Sequence, residues 1–92
     1  MIIRIAGEGQ YRLKSSHLDR LNQLDNNVVA RVAESKEKEY LKAYERLIDF
    51  VKSRGEELGP EELVTSDVVL PSSDLSLAEA KKLFVGEGLV PG

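Results

Sequence analysis

The chain has 92 residues, of which 41% are hydrophobic and 32% charged, and a net charge of −3, so we expect one soluble globular domain. It contains no cysteine, which excludes a disulfide framework, a thiolate nucleophile and a thiolate metal site. The N-terminus has no apolar stretch typical of a signal peptide, and the longest aliphatic run, Val68–Leu70, is far shorter than the ~20 residues of a membrane-spanning helix. We therefore predict a cytoplasmic protein.

The charge is distributed unevenly along the chain. Residues 1–54 hold 11 basic and 8 acidic side chains, whereas residues 55–92 hold 2 basic and 8 acidic ones. Basic and acidic side chains are interleaved in the first part and form no basic stripe, so we do not expect nucleic-acid binding. The acidic second part either folds over the mildly basic first part or presents an acidic surface to a basic partner.

The first thirteen residues, MIIRIAGEGQYRL, have the pattern of a β-hairpin. Three isoleucines among the first five positions precede a Gly-Glu-Gly segment at residues 7–9, and Tyr11 and Leu13 follow it. The glycines are typical of a tight connection between two strands. The sequence therefore predicts a hairpin over residues 1–14, followed by a helical period.

A first helix is predicted over residues 17–34, with Ser15 or Ser16 as its N-cap. Its apolar side chains form one stripe: Leu18, Leu21, Leu24, Val28, Val29 and Val32. Asp25 falls within the same arc, where burying an unpaired carboxylate is costly. We predict that Asp25 is a structural polar anchor, paired with Tyr11, Arg12 or the backbone amides of residues 7–9.

A second amphipathic helix is predicted over residues 36–54, with Ser35 as its N-cap and Gly55 in the left-handed position after its end. Its apolar positions cover close to half of the helix circumference: Tyr40, Leu41, Ala43, Tyr44, Leu47, Ile48, Phe50 and Val51. Such a broad face meets either the first helix and the hairpin, or a dimer mate or another partner as well. The two stripes are rotated by about 100° from each other, which favours a helical hairpin over one continuous helix.

After Gly55 the sequence pattern changes from one long amphipathic helix to several short elements. We predict a short helix at residues 60–63, an extended segment at Val68–Leu70 and, from the Ser-Leu-Ala-Glu capping-box pattern, a last helix at residues 77–84. The whole is a single α+β domain over residues 1–92: an N-terminal β-hairpin, two amphipathic helices forming a helical hairpin, a short acidic extended segment and a short C-terminal helix.

No constellation of residues in the sequence predicts catalysis. His17 is the only histidine, and the chain offers neither a cysteine nor a serine in a nucleophile motif for it to activate. The acids Glu56, Glu57, Glu61, Glu62 and Asp67 do not follow the ligand spacing of a calcium-binding loop, which favours a solvated acidic rim. We therefore predict no catalytic residues, no cofactor, no metal site and no enzymatic activity.

Two groups of residues are candidates for binding a partner. Tyr40, Tyr44 and Phe50 form an aromatic patch on the second helix; such patches are enriched in interface cores, but rings at helical spacing are also typical of a domain core. The second group is an acidic patch made of Glu56, Glu57, Glu61 and Glu62. Its charge would complement a basic partner surface.

Four stretches of the sequence are informative together: MIIRIAGEGQYRL at the start, LNQLDNN at residues 21–27, LVTSDVVLPSSDLSLAEAKKL at residues 63–83 and GEGLVPG at the end. In combination they resemble the PspA-associated protein family, PspAA. The resemblance covers nearly the whole chain in matching order. The charged run at residues 36–39 departs from the short Gly-Asp turn that is common in the family.

The resemblance implies a partner of phage shock protein A, a cytoplasmic, coiled-coil, membrane-remodelling protein of the envelope-stress response. The family is generally regarded as regulatory or structural. Our first hypothesis is therefore an interaction module that tunes the assembly of a phage-shock-A-like protein and meets the membrane only through that partner. The alternative is a homo-oligomeric regulatory domain that binds a small ligand or nucleic acid.

Overall fold

The computed structural model describes residues 1–59 and 64–83, and it has the α+β architecture expected from the sequence. The described elements, in chain order, are β1 (Ile2–Ile5), β2 (Gly9–Arg12), a 3-10 turn (Ser15–His17), α1 (Leu18–Ala33), α2 (Glu37–Arg54), β3 (Glu56–Glu57), β4 (Val68–Leu70) and α3 (Leu77–Leu83). The strands form one sheet in the order β3-β2-β1-β4. The helices cover one face of this sheet.

The predicted N-terminal hairpin is confirmed. β1 and β2 are antiparallel, with Ile3 opposite Tyr11, and the turn between them places Gly7 and Gly9 at φ of 81° and 108°. These positive values are accessible to glycine at little cost, which explains both glycines of the turn. Side chains alternate across the sheet, and the buried set faces the helices: Ile3, Ile5, Tyr11 and Leu13.

The extended segment at Val68–Leu70 is β4, which lies parallel to β1 at the edge of the sheet. Asp67 fixes its start, because the backbone N–H of Ile2 donates to Asp67 Oδ2 at 2.7 Å and the N–H of Asp67 donates to the carbonyl of Ile2 at 2.8 Å. The sequence predicts the extended conformation of this segment. The pairing with β1 joins residues that are about 65 positions apart and leaves no local signal.

Gly55 ends α2, but its predicted left-handed conformation is wrong. Its φ is −82° and its ψ is 155°, so the backbone is extended and leads directly into β3. A Cβ atom on Gly55 would lie 2.5 Å from the carbonyl oxygen of Val51 and 3.0 Å from the Cβ of Tyr11. Glycine is therefore favoured here mainly because a side chain would collide with the last turn of α2, and secondly because Tyr11 of β2 lies close by.

The predicted break between the two long helices is confirmed, whereas the predicted serine caps are wrong. Ser15 and Ser16 lie in a 3-10 turn, and α1 begins without a side-chain hydrogen bond at its N-cap. Ser35 takes a φ of 56°, and its N–H donates to the carbonyl of Val32 at 3.0 Å, so it terminates α1. Lys36 then occupies the N-cap of α2. The two helices form the expected helical hairpin.

The core lies between the sheet and the helical hairpin and continues to α3. Its helical part consists of Leu21, Leu24, Val28, Val32, Tyr40, Ala43, Tyr44, Leu47, Ile48, Val51 and Ala80. The capping box of α3 is confirmed, because the N–H of Glu79 donates to Ser76 Oγ at 3.1 Å. The predicted helix at residues 60–63, and the predicted end of the last helix at residue 84, lie outside the described residues.

Candidate interaction surfaces

Tyr40 and Tyr44 lie on the inner face of α2 and are buried, with 0% and 1% of their surface exposed. Their rings stack at a centroid distance of 5.9 Å and an angle of 14°. The hydroxyl of Tyr40 donates to the carbonyl of Leu75 at 2.8 Å, and that of Tyr44 donates to the carbonyl of Pro71. This placement corrects the proposed role of both rings as partner contacts, since the folded chain offers a partner no access to them.

The environment of the two tyrosines keeps both hydroxyls protonated. Burial, with a smaller contribution from the negative charge of Glu79, raises the pKa of Tyr40 to about 12. Burial and the neighbouring Tyr40 raise the pKa of Tyr44. Both hydroxyls are therefore donors at neutral pH, and they tie the 71–75 loop between β4 and α3 to α2.

Phe50 is the member of the predicted aromatic patch that reaches the surface. It is half-buried, and its ring meets that of His17 edge-on, with centroids 5.9 Å apart and an angle of 84°. It lines a shallow groove of about 330 Å³ between α1 and α2, together with Arg20, Leu24, Arg46, Asp49 and Ser53. Phe50 thus remains available as a contact residue.

A second groove, here called the α2 groove, runs along the opposite margin of α2. It has a volume of about 410 Å³ and is lined by Leu41, Glu45, Ile48, Asp49 and Lys52 of α2, Glu8 of the hairpin turn and Ser73 of the 71–75 loop. Lys52 and Glu8 form an ion pair across it, and the hydrogen bond to Glu8 raises the pKa of the Lys52 ammonium group.

The helical pattern of the sequence does not predict the α2 groove, although the sequence contains a signal for it. Leu41 and Phe50 are the two margins of the broad apolar face of α2, and the structure leaves Leu41 40% exposed and Phe50 half-buried. The centre of the face fills the core. The opposing walls of the α2 groove come from the hairpin turn and the 71–75 loop, which the helical pattern does not reveal.

The described part of the predicted acidic patch lies on β3. Glu56 and Glu57 are exposed at an edge of the sheet, with Arg12 opposite Glu56 and Tyr11 opposite Glu57. Charged side chains on an edge strand disfavour the addition of a further strand, so this edge is protected. Glu61 and Glu62, the other two predicted members, lie outside the described residues.

Part of the acidic half of the chain packs on the N-terminal hairpin. The side-chain amide of Gln10 donates to the carbonyl of Val64 at 3.0 Å and to Ser66 Oγ at 2.8 Å. Together with the pairing of β4 and β1, these bonds agree with the interpretation that the acidic half folds over the first half.

Asp25 lies on the inner face of α1 and is 1% exposed, which makes it the one buried charged side chain among residues 1–59 and 64–83. It has an interaction partner, as the cost of burying a lone carboxylate requires. Its burial is consistent with the predicted role as a polar anchor.

The described residues contain no group of three or more histidine, cysteine, aspartate or glutamate side chains placed to hold a metal ion. Within the same ranges, no helix combines the length and apolar character needed to cross a membrane.

Comparisons with known proteins give one informative result. Neither the curated proteins nor the solved structures contain a significant match to this sequence. The family model described as PspA-Associated protein, in contrast, matches residues 1–92. The match covers the whole chain and agrees with the resemblance carried by the hairpin, the β4 region and the C-terminal sequence, so this chain belongs to the PspA-associated protein family, PspAA.

Proposed function

We propose that this chain is a non-enzymatic interaction module that binds a phage-shock-A-like protein and tunes its assembly during membrane stress. The observation that carries the proposal is the match of the PspA-associated family model to all 92 residues. The surface supports it, because α2 and the hairpin turn present a charged groove, and β3 presents two exposed carboxylates at the edge of the sheet. Such features suit recognition of a charge-rich coiled-coil surface.

The first test is size-exclusion chromatography with light scattering, on this chain alone and mixed with the phage-shock-A-like protein encoded in the same genome. We expect the two to co-elute in a defined ratio. Separate elution over a range of concentrations would overturn the proposal. The mass of the chain alone also tests the alternative of a homo-oligomeric regulator.

The acidic patch is tested by the double substitution Glu56→Lys/Glu57→Lys. Rim charges steer association, so we expect the complex to weaken several-fold at low ionic strength and the difference to shrink as salt is added. The matched control is Glu37→Lys/Glu39→Lys, which reverses two exposed carboxylates at the other end of α2, about 27 Å away along an 18-residue helix. Equal affinities for both variants at low salt would show that β3 does not face the partner.

A further inference from the structure

We propose that the α2 groove is the docking site for a basic amphipathic helix of a partner protein. The inference rests on the proposed function in one respect: it takes the chain to be an interaction module. It goes further by assigning a surface and the chemistry of the segment that binds there.

The shape of the α2 groove fits a helix. Leu41, Glu45, Ile48 and Lys52 follow one another at intervals of four, three and four residues, which places them in a single row along α2. The row is about 16 Å long at 1.5 Å per residue, or three helical turns. Glu8 and Ser73 stand on the opposite side, so a second helix can lie beside α2 between these walls.

The groove also has the apolar contact that a docking helix needs. Ile48 is buried and forms part of the floor, whereas Leu41 is 40% exposed on the wall. A single exposed leucine is ordinary on a protein surface. Here, however, it belongs to a concave surface and stands in the same row as the buried Ile48, so an apolar side chain from a partner helix can cover it.

The charge of the groove selects a basic occupant. The ammonium group of Lys52 is matched by Glu8, and the two further carboxylates, Glu45 and Asp49, give the lining a net negative charge. Such a surface repels anionic lipid headgroups and nucleic-acid phosphates and attracts lysine or arginine side chains.

The same charge argues against a second copy of this chain as the occupant. A symmetric dimer uses the same patch on both subunits. A groove-to-groove dimer would therefore place Glu45 and Asp49 of one copy close to the same carboxylates of the other, and like charges in contact are unfavourable. A helix with lysine or arginine beside an apolar row meets no such repulsion.

The test uses two synthetic helical peptides of the same length, both with a leucine row. One carries lysines beside the row and the other glutamates, and their binding to the full chain is measured by fluorescence anisotropy at low salt. We expect the lysine peptide to bind at least about tenfold more tightly than the glutamate peptide. Equal binding of the two peptides would overturn the proposal.

The position of the site is tested by Leu41→Gln, which removes the apolar contact without changing the charge of the groove. Leu83→Gln is its matched control, since Leu83 is an exposed leucine of α3 at 44%. We expect Leu41→Gln to weaken binding of the lysine peptide about tenfold and Leu83→Gln to leave it unchanged. The pair Glu45→Lys/Asp49→Lys is the second variant, compared with Glu37→Lys/Glu39→Lys, and circular dichroism establishes that all variants are folded. Unchanged affinity in both groove variants would overturn the proposal.

The outcomes separate this inference from the proposed function. If the phage-shock-A-like protein co-elutes equally with the wild type and with Leu41→Gln, the groove assignment is wrong and the proposed function stands. If that protein never co-elutes but the lysine peptide binds at Leu41, the proposed function is wrong and the groove serves another basic helix. A change in the mass of the chain alone on Leu41→Gln would place a second copy in the groove and overturn the assignment.

Discussion

The inner face of α2 and its groove margin belong to the same helix but differ in how deeply their side chains are buried. The inner face is centred on Tyr40, Tyr44 and Leu47, each of which has 1% or less of its surface exposed. The groove margin alternates apolar and charged side chains, and Leu41 there is 40% exposed. The difference shows that one broad apolar face contains residues of two kinds. Those at its centre fill the core, and those at its margins stay partly exposed, where we propose that a partner binds.

The largest expected difference between the two regions is the loss of folding stability caused by a cavity in the inner face. We expect Leu47→Ala to lower the free energy of unfolding by about 2–5 kcal/mol, because a fully buried leucine leaves a cavity that the core fills only in part. Leu41→Ala, at the groove margin, should change it by less than about 1 kcal/mol. Guanidinium unfolding measures both, and equal losses would show that Leu41 belongs to the core.

The hydroxyls of the two stacked tyrosines are predicted to have the next largest effect. Tyr40→Phe should cost about 1–3 kcal/mol, because the buried carbonyl of Leu75 loses its donor. Hydrogen exchange of the 71–75 loop should also become faster. The matched control is Tyr11→Phe, since the hydroxyl of Tyr11 makes no hydrogen bond within the described part of the chain. Similar losses in Tyr11→Phe and Tyr40→Phe would mean that the loop is held by other contacts.

The smallest of the three effects is a pH dependence. The pKa of Tyr40 is raised from its ordinary value of 10.0 to about 12 in the fold, so the folded state favours the protonated hydroxyl. The resulting stability is fully present below about pH 10 and is lost as the pH rises towards 12. Unfolding curves recorded between about pH 8 and about pH 11.5 should show this decline, and Tyr40→Phe should reduce it. An equal decline in both proteins would contradict the assignment.

The local patterns of the sequence predict most of the elements. Alternation around two glycines predicts the hairpin, the 3.6-residue period predicts α1 and α2, and the rotation between their stripes predicts the break. The capping box places the start of α3 correctly at Leu77. In each case the signal lies within a few residues of the element that it predicts.

The features that the sequence did not predict depend on distant residues. Gly55 is a residue type that often ends a helix in the left-handed conformation, but here its backbone is extended into β3, and a side chain would collide with the carbonyl of Val51 and crowd Tyr11 on β2. The hydroxyls of Tyr40 and Tyr44 find carbonyls 35 and 27 residues away, so the aromatic spacing alone does not separate a core from an interface. The α2 groove requires Glu8 and Ser73 beside α2, and only the folded chain brings them together.

The most direct test of the account is a methyl NMR titration of the leucine-labelled chain with the unlabelled phage-shock-A-like protein. We predict that the methyl signals of Leu41 shift or broaden during the titration. The signals of Leu83, which is similarly exposed, and of the buried Leu47 should stay in place throughout. A response at Leu83 with unchanged Leu41 signals would contradict the claim that the margin of α2 is the recognition surface.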